Sequence, residues 1–376
     1  MSYEKLFDAG ISYENIEAAH KSGKKVLGMM CAFVPQEILH ALDIMPVRMR
    51  ATGCQDSSDA EVWMSSFSCS FARSVLQLLM DESYKLDGII ATDGCMQSVR
   101  IYDNWRWICH KQGREDQFIF ELGVPRMYSP MTVNYFKSDL QEFIGKLEEF
   151  SGNKLDEAKL RHSVDLYNEQ KALVRELLEF QKADHPVISG TEMLTVLLHA
   201  TDYDVEEYNA MIRELIEDLK KRKPLEGYRA RIMVIGSALD TPEYINTIEK
   251  KGGLVVADTL CFGSMTFLND LVLGDDPLHD IAEFYVRRVV CPRMIDNRDE
   301  LHDIVVKRAQ EYKVNGVIYE KMQNCECWGG ENVVLEQQFK DLGIPELTVE
   351  REQHLANLGQ LEIRAEAFVE MIEEED

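Results

Sequence analysis

Asp87-Gly88-Ile89-Ile90-Ala91-Thr92-Asp93-Gly94-Cys95 reads as a strand that runs out on a thiol. Its centre is a continuous short apolar run between turn residues, the pattern of a strand buried on both faces in a parallel sheet. The same device recurs elsewhere. Lys25-Val26-Leu27-Gly28-Met29-Met30 leads to Cys31, and Gly253-Leu254-Val255-Val256-Ala257-Asp258-Thr259-Leu260 leads to Cys261. Val314-Asn315-Gly316-Val317-Ile318-Tyr319-Glu320 leads to Cys325 by a short polar step. In open α/β sheets, ligands gather outside the carboxyl ends of the strands. Two such thiols stand in each half of the chain, so they are candidates for a metal cluster held between two domains.

Around these strands the chain alternates strand and helix, which implies an α/β fold with doubly wound parallel sheets and right-handed crossovers. Its 376 residues exceed one typical core, so two domains are expected. In the first half, an amphipathic turn at 34–42, a strand at 45–49, a helix at 68–80 and an extended piece at 124–128 accompany the strands before Cys31 and Cys95. From about 138 to 223 the period becomes helical, with a break at His185-Pro186 and a second helix from Val205 to Leu219. Pro224 marks the expected boundary, which gives an N-terminal domain over 1–223, carrying the helical block, and a C-terminal domain over 224–376. Further strands are expected at 231–236, 289–292, 315–319 and 345–349, and helices at 244–250, 279–288, 298–312 and 333–342.

Composition narrows the function. A net charge of −25 argues against a general nucleic-acid binder, which needs a basic footprint. No apolar run is long enough to cross a bilayer, and Met1-Ser2-Tyr3-Glu4-Lys5 lacks the basic start and apolar stretch of a signal peptide. A cytoplasmic protein is therefore expected. In that compartment the nine cysteines stay reduced, and an odd count fits complete pairing poorly. Zinc is disfavoured because there is no paired C-x2-C, and Cys325-Glu326-Cys327 is too close for a knuckle. The closely spaced ferredoxin run is absent as well. Widely separated single cysteines that the fold brings together suit an iron–sulfur cluster, since thiolates are soft ligands. Cys69 opens the helix at 68–80, where free backbone N–H groups and the helix dipole favour a thiolate. Gly94 and Gly329-Gly330 supply permissive backbone beside Cys95 and Cys325. The nucleotide signatures G-x-G-x-x-G and G-x4-G-K-[ST], the nucleophile elbow G-x-S-x-G and the metal motif H-E-x-x-H are all missing. His40 is expected in the core or an interface. His110 is a weak catalytic candidate, and Tyr102, Trp105 and Trp107 are read as packing.

These residues resemble the D-component family of 2-hydroxyacyl-CoA dehydratases, whose superfamily includes ATP-dependent benzoyl-CoA reductases and double-cubane-cluster reductases. The likeness runs through nearly the whole chain. It begins at 28–38 with Met45-Pro46-Val47-Arg48 and continues through Cys69-Ser70-Phe71-Ala72-Arg73-Ser74, 87–95, and Gly316-Val317-Ile318-Tyr319 with Cys325. It closes on the segment 359–371. The resemblance implies two Rossmann-like domains with a [4Fe–4S] cluster between them on Cys69, Cys95 and Cys325, leaving one iron open. It implies an acyl-CoA substrate, a homologous sister subunit and a separate ATP-hydrolysing iron–sulfur activator that delivers one low-potential electron. The reduced cluster of that family then makes a ketyl radical from the thioester. The chain departs from the family's frequent Cys-Asp pairs, with Cys95-Met96 and Cys325-Glu326 instead. Cys327 competes with Cys325, and Cys31, Cys261 and Cys291 are extra thiols that suffice for a double-cubane [8Fe–9S] cluster. A double-cubane reductase of a small molecule, or a non-catalytic subunit that relays electrons, are the alternative functions.

Overall fold

The computed structural model describes residues 2–354 and 358–375. In chain order the first half runs α1 (Tyr13–Lys21), β1 (Lys25–Met29), α2 (Gln36–Ala41), β2 (Ile44–Arg48), α3 (Ser70–Met80), β3 (Gly88–Thr92), α4 (Met96–Gln112) and β4 (Phe118–Leu122). Four helices follow: α5 (Pro130–Ser151), α6 (Glu157–Lys182), α7 (Gly190–His199) and α8 (Val205–Leu219). The second half runs β5 (Ala230–Gly236), α9 (Pro242–Glu249), β6 (Gly253–Thr259), α10 (Pro277–Arg287), α11 (Arg298–Glu311), β7 (Gly316–Met322), α12 (Glu326–Gly329), α13 (Asn332–Asp341), β8 (Glu346–Arg351) and α14 (Leu358–Glu375).

Both sheets are parallel throughout and share one topology, β2-β1-β3-β4 and β6-β5-β7-β8. The α/β class with two Rossmann-like sheets is thus as expected. Every residue of β3, β5 and β6 is buried, which is why these strands read as unbroken apolar runs. Strand order reverses between β1 and β3, and again between β5 and β7, so each sheet has a switch point where loops diverge and leave a crevice. The core does not stop at the midpoint of the chain. Leu27 and Ile90 of the first sheet share one buried cluster with Met233 and Ile235 of the second. The helical block bridges the halves, α6 packing on α2 and α5 on α10.

Three expectations are corrected. No strand forms at 289–292, where Val289 and Val290 are buried but have no ladder partner. Side chains fix that loop instead. Arg288 donates to the carbonyls of Ala32 and Thr266, at 2.5 and 2.8 Å, and Arg293 donates to that of Val124 at 2.7 Å. The extended piece at 124–128 is also not in the sheet. The fourth strand is β4, just before it, a half-exposed edge strand whose Phe-Ile-Phe run pairs with β3, whereas Pro125 has no N–H to offer a ladder. The helical block begins at Pro130, not near 138. Ser129 caps α5 by accepting from Thr132 N, and Thr132 returns a bond to Ser129 N.

Candidate metal centre

The carboxyl ends of the two sheets face one cavity of about 800 Å3, its mouth included. Seven of the nine cysteines line it: Cys31, Cys69, Cys95, Cys261, Cys291, Cys325 and Cys327. The topology explains the gathering. Cys31 follows β1 and Cys95 follows β3, the two strands at the first switch point. Ser237 and Cys325 hold the matching places after β5 and β7, and Ser237 lines the cavity too. Cys261 follows β6, and Cys291 arrives on the loop that sequence reading took for a strand.

Cys69, Cys95 and Cys325 share a further geometry. Each is the N-cap of the helix that follows it, α3, α4 and α12, with extended backbone and no side-chain capping bond. Their sulfurs therefore sit at amino ends, where unpaired N–H groups favour negative charge. Burial nevertheless outweighs the helix ends. It raises the Cys69 and Cys95 thiols above the ordinary range and pushes Cys325 up to about 12. A metal bound there would have to displace those protons, so its binding would be linked to proton release.

Gly94 decides how closely the walls approach. A Cβ on it would stand 3.0 Å from Thr92 Oγ1, 3.5 Å from the Cys31 sulfur and 3.8 Å from Arg293 Nε. Arg293 is buried, bonded to Asp93 at 3.2 Å, and its Nε has no partner. Arg48 donates to the Cys261 sulfur and carbonyl, both at 2.8 Å. Sequence reading missed both arginines as site residues; the signals were the nearness of Arg293 to Cys291 and the place of Arg48 in the Met45-Pro46-Val47-Arg48 stretch. Met30, Phe71 and Trp328 complete apolar walls, with Trp328 held by the Tyr319 hydroxyl, which donates to its carbonyl at 2.6 Å.

Cys327 differs from the others. Its Sγ lies 3.8 Å from the Gly94 carbonyl oxygen, and a hydrogen bond from Cys291, helped by Arg293 and Arg126, holds its pKa below the usual thiol value despite burial. Cys291, as donor, is raised. In the cluster-free, reduced chain at neutral pH, Cys327 is expected to be alkylated by iodoacetamide before Cys69, Cys95, Cys261, Cys291 and Cys325, as read by peptide mass spectrometry over time. Faster labelling of Cys69 or Cys95 would contradict this ordering.

Among the described residues, no three His, Cys, Asp or Glu side chains converge on a single-ion position. The thiols ring a space instead. Seven thiols around a largely apolar cavity, with Glu326 the one carboxylate among its lining, fit a polynuclear iron–sulfur group better than a hard cation. Cys54 and Cys109 lie elsewhere, the first with its thiol 3.3 Å from the Asp56 carbonyl, the second buried in α4. His110 is exposed at the far end of α4, and His40 is half-buried between α2 and α6 with Nδ1 3.0 Å from Ser163 Oγ. Trp105 is buried core, whereas Trp107 is half exposed.

A family model described as 2-hydroxyglutaryl-CoA dehydratase, D-component, matches residues 31–372, a span that contains all seven cavity cysteines. The chain belongs to this family. It is similar to the (R)-phenyllactyl-CoA dehydratase beta subunit of Clostridium sporogenes, 23% identical over 94% of this chain and 93% of that one. It is 24% identical to the (R)-2-hydroxyglutaryl-CoA dehydratase beta subunit of Acidaminococcus fermentans, covering 93% of each. A benzoyl-CoA reductase subunit from Thauera aromatica is 20% identical over 93% of this chain and 91% of its own. D-component membership makes this a protein of the dehydratase enzyme family, in which reductase subunits also occur. No helix among the described residues is long and apolar enough to cross a membrane.

Proposed function

We propose that this chain is the iron–sulfur subunit of a radical 2-hydroxyacyl-CoA dehydratase or a related acyl-CoA reductase, working with a homologous sister subunit and an ATP-hydrolysing activator. The observation that carries the reading is the ring of seven thiols at the facing switch points of two parallel sheets. Cys69, Cys95 and Cys325, each at a helix amino end, form the set that would hold a [4Fe–4S] cluster. When bound, such a cluster supplies a low-potential electron and a soft, partly open coordination site. This chain's own part is positional. Arg48 and Arg293 bring fixed positive charge to a negatively charged group, Gly94 lets the walls close, and Trp328 and Phe71 exclude water.

A second reading has a specific observation behind it. Cys31, Cys261 and Cys291 supply a further trio, and Cys327 interacts with members of both sets. Such a doubled set suits an eight-iron double-cubane cluster and reductase chemistry on a small molecule. Iron and acid-labile sulfide determination on anaerobically purified protein, with Mössbauer spectra, separates the two. Four irons per chain supports the single cluster and eight the double one; an iron-free chain that also fails reconstitution would sink both. An assay with activator, ATP and a panel of acyl-CoA thioesters then tests the reaction.

A further inference from the structure

Beside the thiol cavity lies a second chamber, at the carboxyl ends of β1 and β2, where both halves meet the helical block. It spans about 590 Å3 with its mouth. Its interior admits only a few water-sized groups. Its charged walls are all cationic, Arg48, Lys171 and Arg288, in a chain of net charge −25. All three side chains are at least nine-tenths buried.

Buried cations need partners, and these are incompletely supplied. Arg48 spends its two Nη groups on Cys261, but its Nε is buried without a hydrogen bond. Lys171 Nζ reaches Asn168 Oδ1 at 3.3 Å and stands 3.5 Å from Glu37 Oε1, beyond a good charged hydrogen bond. Glu37 is itself engaged on its other oxygen, which accepts from the Tyr285 hydroxyl at 2.7 Å. Three buried cations thus face one nearby carboxylate, that of Glu37. We propose that this chamber binds a small monocarboxylate of formate or acetate size, held between Lys171 and Arg48. Cys31 lines both chambers, so the bound carboxylate lies next to the thiol cavity. The site goes beyond the proposed function, although Arg48 joins the two chambers through its bonds to Cys261.

Titration calorimetry on the full chain, purified anaerobically, tests this with acetate, formate and neutral acetamide at constant ionic strength. One saturable site per chain is expected for the carboxylates, with acetamide at least tenfold weaker. Lys171→Met is expected to weaken acetate binding at least tenfold. Because that variant leaves Glu37 buried and unpaired, Lys171→Met/Glu37→Gln, with its thermal midpoint measured, serves as the folded comparison. Absence of a saturable site, equal binding of acetamide, or unchanged affinity in a folded double variant would each overturn the proposal. Repeating the titration on Cys69→Ser/Cys95→Ser keeps the two ideas apart, since carboxylate binding is expected to persist there whatever the iron content.

Discussion

Cys95→Ser is expected to strip the chain of bound iron and acid-labile sulfide, by roughly tenfold or more relative to the unmutated protein. Cys95 sits at the end of the buried strand β3, caps α4, and faces Cys69, Cys31 and Cys327 across the cavity. A serine suits the same N-cap position but replaces a soft, polarisable thiolate with a hydroxyl that barely ionises. Altering even groups behind a metal ligand costs about 10–100-fold in affinity, and a ligand itself should cost no less. The same loss is expected for Cys69→Ser and Cys325→Ser. Cys54→Ser and Cys109→Ser should keep the full load, because neither thiol reaches the cavity. The measurement is iron and sulfide per chain with the visible absorption spectrum, on protein prepared without oxygen. If Cys95→Ser retains its full load, the assignment fails at its best-supported position. Should Cys31→Ser, Cys261→Ser or Cys291→Ser also halve the iron, the larger cluster is the right one.

Arg50→Met is expected to destabilise the protein by about 3–5 kcal/mol at neutral pH, the usual cost of breaking a buried ion pair from one side. Arg50 and Asp202 are both about 1% exposed and form a direct pair. They tie the loop after β2 to the end of α7. Asp202 also accepts from Ser12 N at 3.1 Å and pairs with His199 Nδ1 at 3.0 Å. Burial alone would raise the Asp202 pKa, but Arg50, His199 and Ser12 outweigh it and hold it below the usual carboxylate range. A carboxyl depressed in the folded state stabilises the fold above its unfolded pKa, and loses that contribution as pH falls through the folded value. The wild-type advantage over Arg50→Met should therefore be full at neutral pH and shrink below about pH 4. Denaturation followed by circular dichroism across that range checks both size and sign. A deficit under about 1 kcal/mol at pH 7, or one that grows on acidification, would contradict the account. Arg50→Met/Asp202→Asn should recover part of the loss, because no buried charge is left alone and the amide oxygen can still accept from Ser12 N.

The strands were legible where burial on both faces leaves a continuous apolar run, as at 88–92 and 253–259. Edges were harder. The edge strand Phe118–Leu122 is half exposed, so its pattern is diluted, and the reading slid onto Val124-Pro125. At 289–290 two buried valines imitate a strand, but their burial comes from the loop packing against the other half of the chain. Local composition carries no record of that packing.

By itself, the sequence determined the parallel α/β class and the placing of thiols where strands end. Both follow from short-range rules, the apolar run of a doubly buried strand and the loop that must leave its carboxyl end. Only the tertiary structure decided that seven of the nine thiols ring one cavity while Cys54 and Cys109 stay outside it. It also placed Arg48 and Arg293 beside them and exposed a cationic chamber next door. The physical reason is distance along the chain. Cys31 and Cys261, or Cys95 and Cys327, are brought together by two sheets that face each other, and no local periodicity encodes how two sheets dock.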